Sequence, residues 1–185
     1  MTPPPEPPIR LDRTLALVGL MGVGKSSVGR RLAYALGLPF RDADEEIEAA
    51  AGRSVADIFA EFGEAEFRAG ERRVIARLLR EPPHVLATGG GAFMNPDTRA
   101  LLKAQALVVW LKADLDVLVR RVGRKDTRPL LRDQDPRAVL ARLMAERYPA
   151  YAEAHLTVET GDGSHSAAVD AVLQAVRARL EPASA

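Results

Sequence analysis

The chain contains the octapeptide Gly19-Leu20-Met21-Gly22-Val23-Gly24-Lys25-Ser26. It matches G-x-x-x-x-G-K-S/T, the phosphate-binding loop (P-loop). An apolar run with β-strand character, Thr14–Val18, precedes the motif, and the segment Ser26–Leu36 has a helical pattern. Strand, loop and helix in this order predict a site for nucleotide phosphates. A glycine-rich turn before an ordinary helix is the plainer alternative.

Each part of this loop has a physical role beside a phosphate. The glycines let the backbone turn tightly and direct its N–H groups at phosphate oxygens. The helix that follows adds the partial positive charge of its N-terminus. Lys25 can reach the β- and γ-phosphates, and the Ser26 hydroxyl can ligate Mg²⁺. The motif alone predicts nucleotide binding but leaves the reaction open.

Length and composition restrict the class of protein. The 185 residues, 47% of them hydrophobic, suffice for one domain with a packed core. With 26 basic and 25 acidic residues the net charge is +1, so the overall charge favours neither nucleic acid nor an acidic membrane surface. Cysteine is absent, which excludes disulfides and cysteine-bound metals and fits a cytoplasmic protein. No apolar run approaches the roughly 20 residues of a membrane helix.

Strand and helix patterns alternate along the chain. The predicted strands are Thr14–Val18, Pro39–Arg41, His84–Thr88, Ala106–Lys112 and His155–Glu159. The predicted helices are Ser26–Leu36, Asp44–Ala51, Ser54–Phe62, Glu64–Arg80, Pro96–Ala104, Asp114–Arg121, Pro136–Tyr151 and Ser164–Leu180. The alternation predicts an α/β fold, with a parallel sheet covered by helices on both faces. We expect one domain over residues 11–181, after a disordered proline-rich lead at 1–10.

Two carboxylates follow the second predicted strand, in Phe40-Arg41-Asp42-Ala43-Asp44. In an extended segment, residues two apart point to the same side, so Asp42 and Asp44 would project together from the strand's carboxyl end. One can hold Mg²⁺ through water while the other accepts the proton of an attacking hydroxyl. The alternative is that they cap the helix beginning near Glu45.

Glycines and arginines add to this predicted site. Gly89, Gly90 and Gly91 follow a strand and permit close approach of a ligand, although a flexible turn is the alternative. Arg68 is either a solvated residue at a helix edge or a bidentate partner for a carboxylate, and its local pattern leaves both open. Arg147 is equally ambiguous.

The remaining aromatic and imidazole side chains give weaker signals. Tyr148 and Tyr151 fall at the end of a helix, where we expect them to pack. The three histidines, His84, His155 and His165, are scattered and lack metal-ligand spacing, so we expect structural or surface positions for them.

The stretch from residue 121 to 137 is irregular and rich in basic side chains. Its cations are Arg121, Arg124, Lys125, Arg128, Arg132 and Arg137. Net positive charge on such a loop suits a mobile lid that closes over phosphates, and we place this lid at about 121–136. A solvated loop and a nucleic-acid patch are the alternatives. The absence of aromatic residues for base stacking counts against the patch.

Taken in order, these motifs resemble the shikimate kinase family over about residues 11–172. The matching segments are 22–29, 40–48, 52–59, 62–68, 89–91, 128–131 and 147–151. Many families share the P-loop. The aspartate pair, Phe67-Arg68, the triple glycine and Arg128-Pro129-Leu130-Leu131 in this order are far more specific to one family.

The resemblance implies a three-layer P-loop kinase fold with a five-stranded parallel sheet in the order 2-3-1-4-5. A substrate-binding region at about 42–70 and a mobile lid would complete it. The implied reaction transfers the γ-phosphate of ATP, with Mg²⁺, to the 3-hydroxyl of shikimate, in the biosynthesis of chorismate and aromatic amino acids. The implied protein is a cytoplasmic monomer whose partners are these two small molecules.

The resemblance also implies residue roles. Shikimate would contact Asp44, Arg68, Gly89, Gly90, Gly91 and Arg147, with both arginines on its carboxylate. The nucleotide would contact Gly22, Val23, Gly24, Lys25, Ser26, Ser27, Arg121 and Arg128, with Arg121 against the adenine. The catalytic residues would be Lys25, Asp44 and Arg128, with Asp44 the candidate base. Ser26 and Asp42 would hold the metal.

One stretch departs from the family pattern, and other functions stay open. Where family members often carry a basic residue near the adenine, this chain has Gly161-Asp162-Gly163, so a contact there would come from the backbone. A gluconate kinase and a nucleoside monophosphate kinase are the nearest alternatives. A nucleotide-dependent switch that hydrolyses is a third, although the guanine-binding pattern Asn-Lys-x-Asp is absent.

Overall fold

A single parallel sheet organises the part of the chain that the computed structural model describes, residues 8–123, 131 and 133–181. Its strands are β1 (Thr14–Val18), β2 (Phe40–Asp42), β3 (Val85–Ala87), β4 (Ala106–Ala113) and β5 (Leu156–Thr160). All neighbouring strands are parallel, and the spatial order is β2-β3-β1-β4-β5. The predicted parallel sheet and its order are confirmed.

Helices connect the strands. They are α1 (Lys25–Leu36), α2 (Ala43–Ala51), α3 (Val55–Leu78), α4 (Pro96–Gln105), α5 (Leu115–Val122), α6 (Pro136–Tyr151) and α7 (His165–Leu180). The two helices predicted around residue 63 form one element, α3, broken at Gly63, where φ is 81° and ψ is 173°. Among the described residues nothing lies within 4 Å of a Cβ at this position. Glycine is therefore needed at the break for its backbone conformation, not for space.

The main core lies on both sides of the central strands. All five residues of β1 are buried, as are seven of the eight residues of β4. Strands covered on both faces are apolar along nearly their whole length, which is the pattern that marked them in the sequence. A second, smaller cluster of buried residues, Ile47, Ile58 and Phe67, joins α2 to α3 beside the sheet.

Because the strands are parallel, their carboxyl ends share one edge of the sheet. The P-loop follows β1, Asp42 ends β2, and Gly89–Gly91 follow β3 at this edge. Ligands of open α/β sheets bind outside this edge. The topology thus brings together three motifs that are spread over residues 19–91 of the sequence.

Two predicted segments extend beyond the described residues. Residues 1–7 of the predicted lead lie outside them, as do residues 124–130 and 132 of the predicted lid, Arg128 among them. None of the helices in the described part of the chain combines the length and the apolar character needed to cross a membrane.

Candidate active site

A cavity of about 650 Å³ opens at the carboxyl edge of the sheet. Most of the residues predicted to form the site line it: Gly22, Gly24, Lys25, Ser26, Ser27, Asp42, Asp44, Arg68, Gly89, Gly90, Gly91 and Arg147. Its wall also contains residues that were not predicted as site residues, among them Phe59, Phe67 and Glu71. One cavity therefore joins the P-loop to the aspartates, the triple glycine and two arginines.

The P-loop wraps around the ammonium group of Lys25. Gly24 has φ 97°, a left-handed conformation that side chains disfavour, and α1 begins at the next residue. Lys25 Nζ donates to the carbonyls of Gly19 at 2.7 Å and Leu20 at 3.1 Å. These two bonds hold the ammonium group of Lys25 against the loop, and the residue lines the cavity. The Val23 side chain is buried and lies outside the lining.

Both carboxylate oxygens of Asp42 accept hydrogen bonds, one from the P-loop and one from the start of α2. Oδ2 accepts a hydrogen bond of 2.5 Å from the Ser26 hydroxyl. Oδ1 accepts from the backbone N–H groups of Asp44 and Glu45, at 3.0 and 3.3 Å, and so caps the N-terminus of α2. The cap predicted as an alternative to a site role is therefore present together with the contact to the P-loop serine.

The extended geometry predicted for Asp42 and Asp44 is wrong. Asp42 ends the strand, but Asp44 lies in the first turn of α2, because the strand stops and the helix begins between them. The turn still directs Asp44 into the cavity. Burial, followed by the negative charge of Asp42, raises the pKa of Asp44 above its ordinary value, while Lys25 and Arg68 oppose the shift.

Each residue of the triple glycine lies against charged side chains that a Cβ would crowd. A Cβ on Gly89 would lie 3.0 Å from both Asp44 Oδ1 and Glu71 Oε2. A Cβ on Gly90 would lie 3.2 Å from Arg147 Nη1. The protein's own acidic and basic side chains approach these glycines closely, while the predicted contact with a ligand stays a prediction.

Glu71 is a buried residue of the cavity wall that no sequence pattern predicted. It is 2% exposed and accepts a hydrogen bond of 2.8 Å from Arg68 Nη1 through Oε1. Its Oε2 is buried with no hydrogen-bond partner among the described residues. Burial raises the pKa of Glu71, while the adjacent Arg68 opposes the shift. The spacing of three residues from Arg68 on one helix was the available signal.

Arg147 and Tyr151 stand one turn apart on α6. The tyrosine rings pack as predicted: Tyr148 lies edge-on against Trp110, and Tyr151 stacks on Phe93. The Tyr151 hydroxyl, however, also donates a hydrogen bond to the Gly90 carbonyl. The far end of α6 therefore contacts the same glycine run that borders the cavity.

Comparison with known proteins identifies the family. The model of the family described as shikimate kinase matches residues 21–177. A shikimate kinase of Caulobacter vibrioides is 69% identical over 165 residues, which cover 89% of this chain and 82% of the relative. The chain belongs to the shikimate kinase family. A second relative, from Paramagnetospirillum magneticum, is 56% identical over 93% of this chain and 88% of its own. The resemblance inferred from the sequence is confirmed.

Solved structures agree with this assignment. A shikimate kinase from Acinetobacter baumannii, in complex with shikimate, superimposes with a TM-score of 0.88 at 38% identity, covering 92% of this chain and 96% of its own. A gluconokinase from Sinorhizobium meliloti reaches a TM-score of 0.66 at 21% identity, over 93% of this chain and 95% of its own. The second likeness concerns the fold alone.

The departure from the shikimate kinase pattern at Gly161 has a structural counterpart. Arg121, at the end of α5, donates to the Val23 carbonyl at 2.9 Å and to the Gly161 carbonyl at 2.6 Å. It therefore ties the P-loop to the loop between β5 and α7 through backbone atoms. His165 lies in the same place, with Cε1 3.2 Å from the position of a Cβ on Gly24.

The other two histidines are structural, as predicted. His84 is buried and its Nδ1 lies 3.2 Å from the Thr14 hydroxyl. His155 Nδ1 accepts from the backbone N–H of Val108 at 2.9 Å, joining β4 to the start of β5. Neither lines the cavity of the shikimate kinase site.

Proposed function

We propose that this protein transfers the γ-phosphate of ATP to the 3-hydroxyl of shikimate, giving shikimate 3-phosphate and ADP on the route to chorismate and the aromatic amino acids. The observation that carries the proposal is the single cavity, which joins a P-loop to an aspartate and two arginines. A phosphate donor and an acidic acceptor can therefore lie side by side. The shikimate held by the Acinetobacter baumannii relative, which has the same fold, supports this acceptor.

The acceptor binds in the part of the cavity that Arg68, Arg147 and the triple glycine line. Arg68 and Arg147 pair with its carboxylate, because a guanidinium matches a carboxylate with two parallel hydrogen bonds. Both arginines lie against the triple glycine, at Gly91 and Gly90. Gly89, Gly90 and Gly91 then contact the bound molecule, and Asp44 contacts its ring hydroxyls.

The donor binds over the P-loop. The backbone of Gly22–Ser27 surrounds the phosphates, and Lys25 exchanges its bonds with the Gly19 and Leu20 carbonyls for bonds to the β- and γ-phosphates. Arg121 lies against the adenine. Two cations stabilise the charge on the transferring phosphoryl group. They are Lys25 of the P-loop and Arg128 of the lid proposed at about 121–136.

Asp44 is the base that accepts the proton of the 3-hydroxyl. Asp42 is less suited, since Ser26 and the N-terminus of α2 already engage both of its oxygens. Burial raises the pKa of Asp44, and a raised pKa makes a carboxylate a stronger base. Asp44 then holds the proton while the oxygen attacks the γ-phosphorus.

Ser26 and Asp42 fit a Mg²⁺ ion. A hydroxyl and a carboxylate oxygen lie 2.5 Å apart, and hard oxygen ligands are what Mg²⁺ prefers. No cluster of three or more acidic, imidazole or thiol ligands occurs among the described residues. That sparse set suits Mg²⁺, which proteins usually hold through one or two side chains together with phosphates and water. When bound, the ion neutralises charge on the phosphates.

Further parts of the proposal concern organisation. Residues 11–181 form one kinase domain, in which about 42–70 bind the acceptor. We propose a monomer in the cytoplasm, with no membrane or nucleic-acid partner. The near balance of 26 basic and 25 acidic residues supports the last point, since nucleic-acid binding usually leaves a basic excess.

One coupled assay tests the reaction. Production of ADP is followed with ATP, Mg²⁺ and, in separate reactions, shikimate, gluconate and nucleoside monophosphates. We expect turnover with shikimate alone, because gluconate and nucleotides do not present a ring acid of matching shape to both arginines. Turnover with gluconate or a nucleotide, and none with shikimate, would overturn the proposal.

A further inference from the structure

We propose that Tyr151 is a positioning residue for the acceptor site: its hydroxyl holds the carbonyl of Gly90, the glycine against which Arg147 rests, and so keeps both in the arrangement that binds a carboxylate. This inference rests on the proposed function. It concerns a residue outside the cavity lining, which acts through two residues that line it.

The hydroxyl of Tyr151 lies at a fixed point. The side chain is 1% exposed, and its ring is packed between Phe93, at a centroid distance of 6.5 Å, and Trp110, at 5.8 Å. The hydroxyl donates to the carbonyl of Gly90, 61 residues away in the sequence. A ring held on two sides cannot swing to follow a shifting carbonyl, so the bond constrains the glycine run.

The positive charge of Arg147 acts on the same hydroxyl. Both residues lie on one face of α6, four residues apart. Burial raises the pKa of this phenol to about 12, and the positive charge of Arg147 opposes the shift. The phenol therefore stays protonated at physiological pH and can donate to the Gly90 carbonyl.

This arrangement has a consequence for binding. Arg147 Nη1 lies 3.2 Å from the position of a Cβ on Gly90, so the guanidinium rests on the glycine whose carbonyl Tyr151 holds. Without the hydroxyl, the Gly90 peptide on which Arg147 rests loses its hydrogen bond to α6. The carboxylate would then bind to two groups whose relative position is no longer constrained.

Tyr151→Phe tests the role, because it removes the hydroxyl and keeps the ring. Tyr148→Phe is the matched control: it lies on the same helix, and its hydroxyl donates to the Ala113 carbonyl at 2.8 Å, outside the cavity lining. For Tyr151→Phe we expect the KM for shikimate to rise about 10-fold, the effect of losing one hydrogen bond, with an unchanged KM for ATP. For Tyr148→Phe we expect both constants to stay unchanged.

A double variant separates positioning from general stability. In an Arg147→Ala background, Tyr151→Phe should weaken shikimate binding further by much less than 10-fold, because the residue it positions is gone. Binding can be followed without turnover through the fluorescence of Trp110, the single tryptophan, whose ring contacts Tyr151. Equal losses in both backgrounds would overturn the inference.

Three further results would each decide whether Tyr151 has this role. An unchanged KM for shikimate in Tyr151→Phe overturns the positioning role. So does a Tyr151→Phe protein that fails to fold while Tyr148→Phe folds, since the hydroxyl would then be structural. If the wild-type protein shows no turnover with shikimate at all, the proposed function fails first, and the two failures are thereby distinguished.

Discussion

The guanidinium group of Arg68 fills the space in which a side chain on Gly91 would begin. Arg68 Cζ lies 2.6 Å and Nη1 2.8 Å from the position of a Cβ on Gly91. Any other residue at 91 would have to displace the arginine, whose Nη1 also donates a hydrogen bond of 2.8 Å to Glu71. The absence of a side chain at Gly91 is therefore a condition for the position of Arg68.

Gly91→Ala should impair the acceptor site and spare the donor site. The added methyl group would push Arg68 away from its place by about 1 Å, and a displacement of this size at a binding group can cost about 100-fold in kcat/KM. We expect this loss for shikimate, with little change in the KM for ATP. Steady-state kinetics with each substrate varied in turn will measure it.

Gly70→Ala is the matched control for this prediction. Gly70 lies within α3, and apart from the backbone of that helix the described residues place one atom within 4 Å of a Cβ there, Arg73 Nη2 at 3.8 Å. Alanine in a helix interior is favoured over glycine by up to about 1 kcal/mol, so this variant should be as stable as the wild type or more so. If Gly91→Ala keeps wild-type kinetics for shikimate, the steric argument fails.

Arg68→Ala should weaken shikimate binding far more than ATP binding. Removal of one partner of a buried charged pair costs about 2–5 kcal/mol, which corresponds to at least about 30-fold in affinity. Arg147→Ala should behave in the same way. Arg72→Ala is the control, since Arg72 is half exposed on the same helix, pairs with Asp97 at 2.8 Å and should matter by no more than about 1 kcal/mol. Equal weakening of both ligands would make Arg68 and Arg147 structural residues.

Asp42 offers a way to separate helix capping from metal binding. Asparagine caps helices as well as aspartate does, so Asp42→Asn should leave the stability of α2 unchanged while it removes the negative charge beside Ser26. Asp42→Ala should lose about 1 kcal/mol of stability in addition. Both variants should need more Mg²⁺ for half-maximal turnover, as a Mg²⁺ titration of initial rates would show. A wild-type Mg²⁺ requirement in Asp42→Asn would remove Asp42 from the metal site.

The activity should have an acid limb set by Asp44. A base must be ionised to accept a proton, and the pKa of Asp44 lies above that of an ordinary aspartate, so kcat/KM for shikimate should fall at a higher pH than for an unperturbed carboxyl. The nearby charge of Glu48 contributes to this raised pKa. Removing that charge favours the ionised form of Asp44. The acid limb of Glu48→Gln should therefore move to lower pH.

Glutamine suits this test because Glu48 Oε1 also accepts a hydrogen bond of 2.9 Å from the backbone N–H of Val55. The amide oxygen of glutamine can keep that bond, so the change in charge is isolated from a change in structure. A profile of kcat/KM against pH for both proteins gives the result. An acid limb that stays in place or moves to higher pH would argue against Asp44 as the base.

The fold followed from the sequence to a large extent because its signals are local. The P-loop motif lies between a strand and a helix, and the apolar strands β1 and β4 are buried on both faces, so that each was visible as a short continuous pattern. Gly63 also appeared correctly as a boundary, since a glycine interrupts the helical pattern there. The order of the strands came from the family resemblance, not from any local pattern.

The site was less predictable for a physical reason. Asp42 and Asp44 were found from their spacing, but the extended geometry behind that argument was wrong, because a helix begins between them. Glu71 and Tyr151 were missed as site residues. Their importance depends on neighbours that become adjacent only in the folded chain. Glu71 lies next to Gly89, and Tyr151 donates a hydrogen bond to Gly90. No local pattern distinguishes such residues from ordinary helix positions.

The small cluster of Ile47, Ile58 and Phe67 is separate from the main core, and this separation affects how the molecule opens. A three-residue cluster protects its helices with less buried apolar area than the sheet has, so α2 and the first half of α3 should open at a lower free energy than β1 or β4. Their backbone amides should then exchange with deuterium through local openings that leave the sheet intact. A ligand that binds only the closed form slows those exchanges in proportion to its occupancy. Slower deuterium exchange in α2 and the first half of α3 would thus report that the substrate is bound.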